Sequence, residues 1–232
     1  MRVSIHEAPP IDAPVRRDET LSVALLLGGA GGYLDAYAWI THGVLANAQT
    51  ANLVFLWVNA MVGKWREALH FVPSLLAFVI GVAAAVWLRR VAGVRAALIS
   101  IVVEIAVLCV VGVLHSRMPD VAGTLGVSKV AAMQTSIFNR VEGANYSSVM
   151  ITGNLRQSIE SVVALIARDP QVGLLRRSSI FIAVCASFGS GAAIGAFVTE
   201  RAPVMSLLIP VASLLLVLLR LPGFAWPRRG PH

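Results

Sequence analysis

Eight runs of apolar residues follow one another along the chain, near 21–40, 47–62, 69–88, 94–114, 121–138, 148–166, 179–199 and 203–219, with short connectors between them. Several reach the roughly 20 residues that a helix needs to cross a hydrocarbon core. A transmembrane β-strand would instead alternate polar and apolar positions over about ten residues, and these runs do not alternate. The pattern predicts an all-α fold, a polytopic transmembrane helix bundle of six to eight hydrophobic segments occupying residues 21–219 as a single domain.

Polar stretches bracket that domain. Residues 1–20 hold Pro9, Pro10 and Pro14, then Arg16, Arg17, Asp18 and Glu19. So polar a segment reads as a disordered cytoplasmic tail rather than a cleaved signal peptide. Residues 220–232 read as a short basic cytoplasmic tail. Composition agrees with a lipid environment: 57% of residues are hydrophobic and 13% charged, against roughly a quarter charged in a soluble domain.

The net charge of +7 changes the picture less than its size suggests. Arg89, Arg90 and Arg95, and Arg168, Arg176 and Arg177, sit in connectors, where cytoplasmic-loop charges gather. Nucleic acid is therefore not expected as a partner. With the N-terminus inside, eight crossings put roughly 12 Lys or Arg on the cytoplasmic side against about 5 outside, and six crossings give roughly 13 against about 4, Lys129 and Arg156 excluded. Both arrangements place the protein in the cell inner membrane with the N- and C-termini in the cytoplasm. The expected partners are the lipid bilayer and a small solute or ion, and a homo-oligomer fits the same reading.

The halves of the domain resemble each other. Thr50-Ala51-Asn52-Leu53 matches Thr152-Gly153-Asn154-Leu155. Phe78-Val79-Ile80-Gly81 matches Phe188-Gly189-Ser190-Gly191, and Tyr33-Leu34-Asp35-Ala36 lies where the second half has Met133-Gln134-Thr135-Ser136. Transporter folds are often built by such duplication. The expected halves are about 21–114 and 121–219, divided by the polar break of His115, Arg117, Pro119 and Asp120. If segments 47–62 and 148–166 cross the membrane, the repeats are parallel; if they are re-entrant, three spans per half make them inverted.

Lipid offers no hydrogen bonds, and a charged group at a helix centre costs about 2.5–3.5 kcal/mol, so polar residues inside the runs are the candidates for function. Asp35 follows the glycines Gly28, Gly29, Gly31 and Gly32, which admit another backbone or a bend. Asn47 to Asn52 opens an apolar run with four polar side chains, among them Gln49, Thr50 and Asn52. Its counterpart offers Thr152 and Asn154, then Arg156 and Glu160, four residues apart and able to pair, as a bridge joining two helices or as part of a site. Glu104 lies mid-run between Ile99–Val103 and Ile105–Val113, where a carboxyl could hold a proton or simply bond a neighbouring helix. With Gln134, these ten residues form the expected solute or proton pathway. The small-residue stretches 81–85 and 189–196 read as close helix packing.

The motifs Gly32-Tyr33-Leu34-Asp35-Ala36, Gln49-Thr50-Ala51-Asn52, Ala132-Met133-Gln134-Thr135-Ser136 and Thr152-Gly153-Asn154-Leu155 resemble the YoaK-like family of small bacterial inner-membrane proteins, a domain of unknown function. The resemblance covers most of 21–219. It implies a membrane helix bundle and brings no activity with it.

Cys109 and Cys185 fall among apolar neighbours, and the histidines share no metal-ligand spacing. No nucleophile with a base, phosphate loop or metal cluster is legible, so no catalytic residue, cofactor or metal is expected and the chain reads as a non-enzyme. The expected function is a transporter or channel-like carrier of a small solute, its site between two repeat halves. The alternative is a membrane scaffold or assembly protein whose intramembrane polar residues only fasten helices.

Overall fold

Each apolar run forms a helix. The computed structural model describes residues 16–114, 117, 119–149, 151–167 and 173–221, and all that follows concerns these. In order they are α1 (Leu21–His42), α2 (Gln49–Met61), a single turn α3 (Trp65–Leu69), α4 (Val72–Ala92), α5 (Ala96–Leu114) and α6 (Asp120–Ile137). A two-stranded hairpin follows, β1 (Arg140–Val141) and β2 (Ala144–Asn145), then α7 (Ile151–Ile166), α8 (Leu174–Arg201) and α9 (Leu208–Arg220). The hairpin and α3 are additions to the expected pattern: both are too short to leave a periodic signal. Residues 1–15 and 222–232, most of the two expected tails, lie outside the described residues, and Arg17–Glu19 form a 3-10 turn ahead of α1.

Two sites of close approach set the packing. A Cβ on Gly32 would collide with the Phe188 carbonyl, and one on Gly191 with the Gly29 carbonyl, so α1 and α8 touch backbone to backbone. Contacts advance together from Gly28 against Val184 to Tyr33 against Gly195, so these helices run parallel. Gly81 meets the Lys129 carbonyl in the same way, and since Ser74 meets Ser128 while Gly81 reaches Ala132, α4 runs parallel to α6. By contrast α9 is antiparallel to α1, since Ser206 O accepts from the Tyr33 hydroxyl and Ser213 Oγ donates to Leu26 O further back.

The remaining contacts define two ends. At one, His42 lies against Gly123 of α6, and His70 Nε2, just ahead of α4, donates to His42 O. At the other, the Glu142 N–H of the hairpin donates to Glu19 O, and the Glu142 carboxylate pairs with Arg176 at the start of α8, 2.7 Å away. Residues 43–70 therefore leave one end and return to it. Residues 143–149 and 151–167 likewise lie between two points, the hairpin and the start of α8, that share the opposite end. Within these excursions α2 and α7 are about 20 and 24 Å long, short of a 30 Å hydrocarbon core.

Helices α1, α5, α6 and α9 pack around the main apolar core, with Leu27, Leu34, Ile101, Leu108, Val127 and Leu214 fully buried in it. Outside, the surface is apolar: Leu76, Val79, Val86, Val102, Val110 and Leu216 are all exposed. An apolar exterior of this extent is what a lipid solvent allows and water does not. By length and composition three helical stretches could cross a membrane, Leu21–His42, Trp65–Leu114 (which contains α4 and α5) and Leu174–Arg201, and α9 is a shorter apolar helix. The chain is helical and has several long apolar helices compatible with a membrane protein.

Candidate functional site

Both excursions dip into the bundle, and a buried loop must find partners for its backbone. In the first, Asn52 supplies them. Its Oδ1 accepts from the Leu45 N–H at 3.0 Å, while its Nδ2 donates to the Leu45 carbonyl at 2.6 Å. Asn52 is fully buried, one turn into α2, and Gln49 Oε1 and Ser74 Oγ also accept from its Nδ2. Ser74 is 2.9 Å from Ser128 Oγ, which ties the cluster to α4 and α6.

The second excursion repeats the arrangement. Asn154 Oδ1 accepts from the Ser147 N–H at 3.2 Å, and its Nδ2 donates to the Ser147 carbonyl at 2.6 Å. Each asparagine thus clasps both backbone groups of the residue seven positions earlier, holding a loop folded back against the first turn of its own helix. Asparagine suits this because one amide carries a donor and an acceptor on the same edge.

The two loop tips reach the middle of α1. Asn47 donates its N–H to Asp35 Oδ1 at 2.7 Å and its Nδ2 to the Gly31 carbonyl at 3.1 Å. Val149 and the Ser148 carbonyl lie against the other tip's target, since a Cβ on Gly31 would meet Val149 Cγ1 at 2.5 Å. Gln134 of α6 closes the ring, donating to Ser148 Oγ at 3.1 Å and to Leu27 O at 3.2 Å. Asn47, Gln134, Ser148 and Asp35 are all buried. Two acceptors there, Asn47 Oδ1 and Gln134 Oε1, have no hydrogen-bond donor among the described residues.

Of the ten residues expected to form a pathway, Asp35, Gln49, Asn52, Gln134 and Asn154 come together at or just behind these tips. Five do not. Thr50 and Thr152 are exposed on the outer faces of α2 and α7. Arg156 and Glu160 form a 2.7 Å ion pair, but with 79% and 57% of their side chains exposed. They join two turns of one helix, which corrects the expectation of a bridge between helices. Glu104 is buried on α5 between the core residues Ile101 and Leu108 and makes no hydrogen bond to the tips among the described residues. Ser74, Ser128 and Ser148 belong to the clusters and gave no sequence signal, since a lone serine within or at the edge of an apolar run does not stand out by itself.

A sequence profile described as "Protein of unknown function (DUF1275)" matches residues 23–220. The chain belongs to the DUF1275 family. The YoaK-like resemblance is consistent with this match. Comparison with curated proteins and with solved structures gave no match. The matched region includes both clasps, both tips and Glu104, so the whole constellation lies inside the DUF1275 domain.

Proposed function

We propose that this DUF1275 protein is a carrier of a small polar solute, with six membrane crossings and a binding site where two re-entrant loops meet between inverted repeat halves. The observation that carries the proposal is the paired clasp. Asn52 on Leu45 and Asn154 on Ser147 are the same device at equivalent positions, entering the bundle from opposite ends. The close approaches repeat likewise, with Gly191 on the Gly29 carbonyl and Gly81 on that of Lys129. In this reading α1, α4 and α5 cross in the first half and α6, α8 and α9 in the second. Three crossings invert the second half relative to the first, and helices broken at mid-depth are where transporters of this kind bind their cargo.

The unpartnered acceptors Asn47 Oδ1 and Gln134 Oε1 favour a solute that donates hydrogen bonds. The buried tips correspond to an occluded stage, which alternating access requires between openings to either side. Among the described residues the one carboxyl at the tips, Asp35, accepts from the Asn47 N–H and has no nucleophile paired with it, an arrangement that suits binding and transport better than catalysis.

Two measurements test the proposal. A cysteine at Lys64, in a background without Cys109 and Cys185, is expected to react with a membrane-impermeant reagent from outside the cell; reaction only from the cytoplasm would mean that α2 crosses and the repeats are parallel. Thermal unfolding of the purified protein against a library of small metabolites should reveal a stabilising solute, because a ligand of the native state raises stability by mass action. That shift should vanish in Asn47→Ala and Gln134→Leu proteins that remain folded. A shift of the same size in both variants would remove the site from the tips.

One observation favours the scaffold alternative. Asn52 and Asn154 spend their amides on their own loops, as fastening residues do. A scaffold predicts no stabilising solute and lower folded yield in every tip variant.

A further inference from the structure

Glu104 takes no part in the tips, and its setting has its own chemistry. It lies at the middle of α5, 1% exposed, on the stripe that includes Ile101, Leu108 and Val111. Neither carboxylate oxygen has a hydrogen-bond partner among the described residues, and one turn earlier Ser100 Oγ on the same stripe is also buried without one. The charged groups of the elements packed on α5 stay away from it. Arg89 and Arg90 of α4, Arg95 of the adjoining 3-10 turn and Arg220 of α9 are exposed, as are Asp120 and Lys129 of α6. Across the core, α1 carries Tyr33, whose hydroxyl donates to Ser206 O, and Asp35, which accepts from Asn47. Tyr37 and His42 complete the titratable groups of α1, and the latter sits at its far end against Gly123.

A bare carboxylate is not tolerated in such a core, and some cation must neutralise it. Metal cations such as Ca²⁺ or Mg²⁺ require six or more oxygen ligands or retained water. This stripe offers two carboxylate oxygens and one hydroxyl, among Ile, Leu and Val side chains. A proton needs no coordination shell. We infer that Glu104 is a reversible proton-binding site in the four-helix core between the two halves, holding a proton while occluded and releasing it when water enters. The O–H bond then breaks, water takes the proton and the carboxylate remains, hydrated, until it is protonated again. This deepens the carrier proposal, on which it rests for its role: Glu104 would be the coupling site, separate from the solute site at the tips.

Infrared spectroscopy of the purified full chain in lipid tests the inference without any solute. The wild type is expected to show a carboxylic-acid C=O band that is absent in Glu104→Gln and retained in Asp35→Asn. Raising the pH should convert that band to carboxylate reversibly, the acid-to-carboxylate ratio falling about tenfold per pH unit. Should Glu104→Gln fail to fold, Glu104→Asp keeps the acid and must move the band. A band that persists in Glu104→Gln, or one that never titrates while the protein stays folded, overturns the inference and leaves Glu104 a structural group. Failure of the carrier reading looks different. A titrating Glu104 band with no stabilising solute would retain the proton site and remove the carrier, whereas a solute found with a silent Glu104 would do the reverse.

Discussion

Two glycines of α8, two residues apart, should respond to alanine in opposite directions. A Cβ on Gly191 would stand 2.7 Å from the Gly29 carbonyl carbon and 2.9 Å from its Cα, both backbone atoms that cannot swing aside. Carbon pairs settle near 3.5–4.0 Å, so α8 must retreat from α1 by roughly 1 Å. Overpacking of this kind costs about 1–3 kcal/mol. Alanine's advantage over glycine within a helix, about 0.5–1 kcal/mol, offsets part of that. The net expectation for Gly191→Ala is destabilisation by roughly 1–2 kcal/mol. Nothing lies within 4 Å of a Cβ on Gly189, so Gly189→Ala should gain the helix term alone. The two variants should then differ by about 2 kcal/mol, near thirtyfold in the unfolding equilibrium. Unfolding in mixed micelles of rising denaturing-detergent fraction, followed by helical circular dichroism, reads the difference directly. If Gly191→Ala is as stable as wild type, or both variants shift the same way, then α1 and α8 do not meet backbone to backbone and the packing described above is wrong.

Further expectations follow from the clasps and the surface. Asn52→Ala and Asn154→Ala each remove two hydrogen bonds from half-buried loop backbone, at about 0.5–1.5 kcal/mol per bond, so each should lower the unfolding midpoint beyond a typical exposed substitution. Asp35→Asn keeps an acceptor for the Asn47 N–H and should leave folded yield near wild type, whereas Asp35→Leu removes it and should not; size-exclusion recovery after solubilisation separates them. Arg156→Ala breaks an exposed pair and should leave the unfolding midpoint where it was; a clear fall would mean that the pair is covered in the native membrane.

The helices were legible and their routes were not. Apolar runs near 21–40, 94–114 and 121–138 match α1, α5 and α6 within three residues at each end, because a helix in an apolar solvent must be continuous and apolar. Runs 47–62 and 148–166 are likewise helical. Hydropathy, however, reports what surrounds a helix and carries no sign for direction, so a helix that crosses and one that turns back look alike. Length was the available clue. Beyond Asn47 and Ala48 the first run leaves 13 helical residues, too few to span, and Asn47 ahead of them belongs to a loop that is buried by protein and not to a capped start near the headgroups. The offset of 102 residues aligned Asn52 with Asn154, and the two make the same pair of hydrogen bonds, yet the clasp each makes depends on a partner seven residues upstream, Leu45 or Ser147, whose side chain is irrelevant because its backbone is what is held.

The division of the ten expected residues follows from helical angle alone. Positions two apart differ by about 200° around a helix, so Thr50 cannot share a face with Asn52, nor Arg156 with Asn154. Once each asparagine turns inward to hold its loop, Thr50, Thr152 and Arg156 must turn outward, and Glu160, one turn beyond Arg156, goes with them. Burial of the asparagine thus decides the exposure of the charged pair, and no separate cause is needed for it. Glu104 has no such neighbour to fix its role: nothing in an apolar run tells a carboxyl held by another helix from one left alone, and only the packed core of α1, α5, α6 and α9 shows that no partner among the described residues reaches it. Membrane depth marks both kinds of polar residue in the sequence, while the packing separates the asparagines that satisfy backbone from the carboxyl that satisfies nothing, and it is the second kind that points to chemistry.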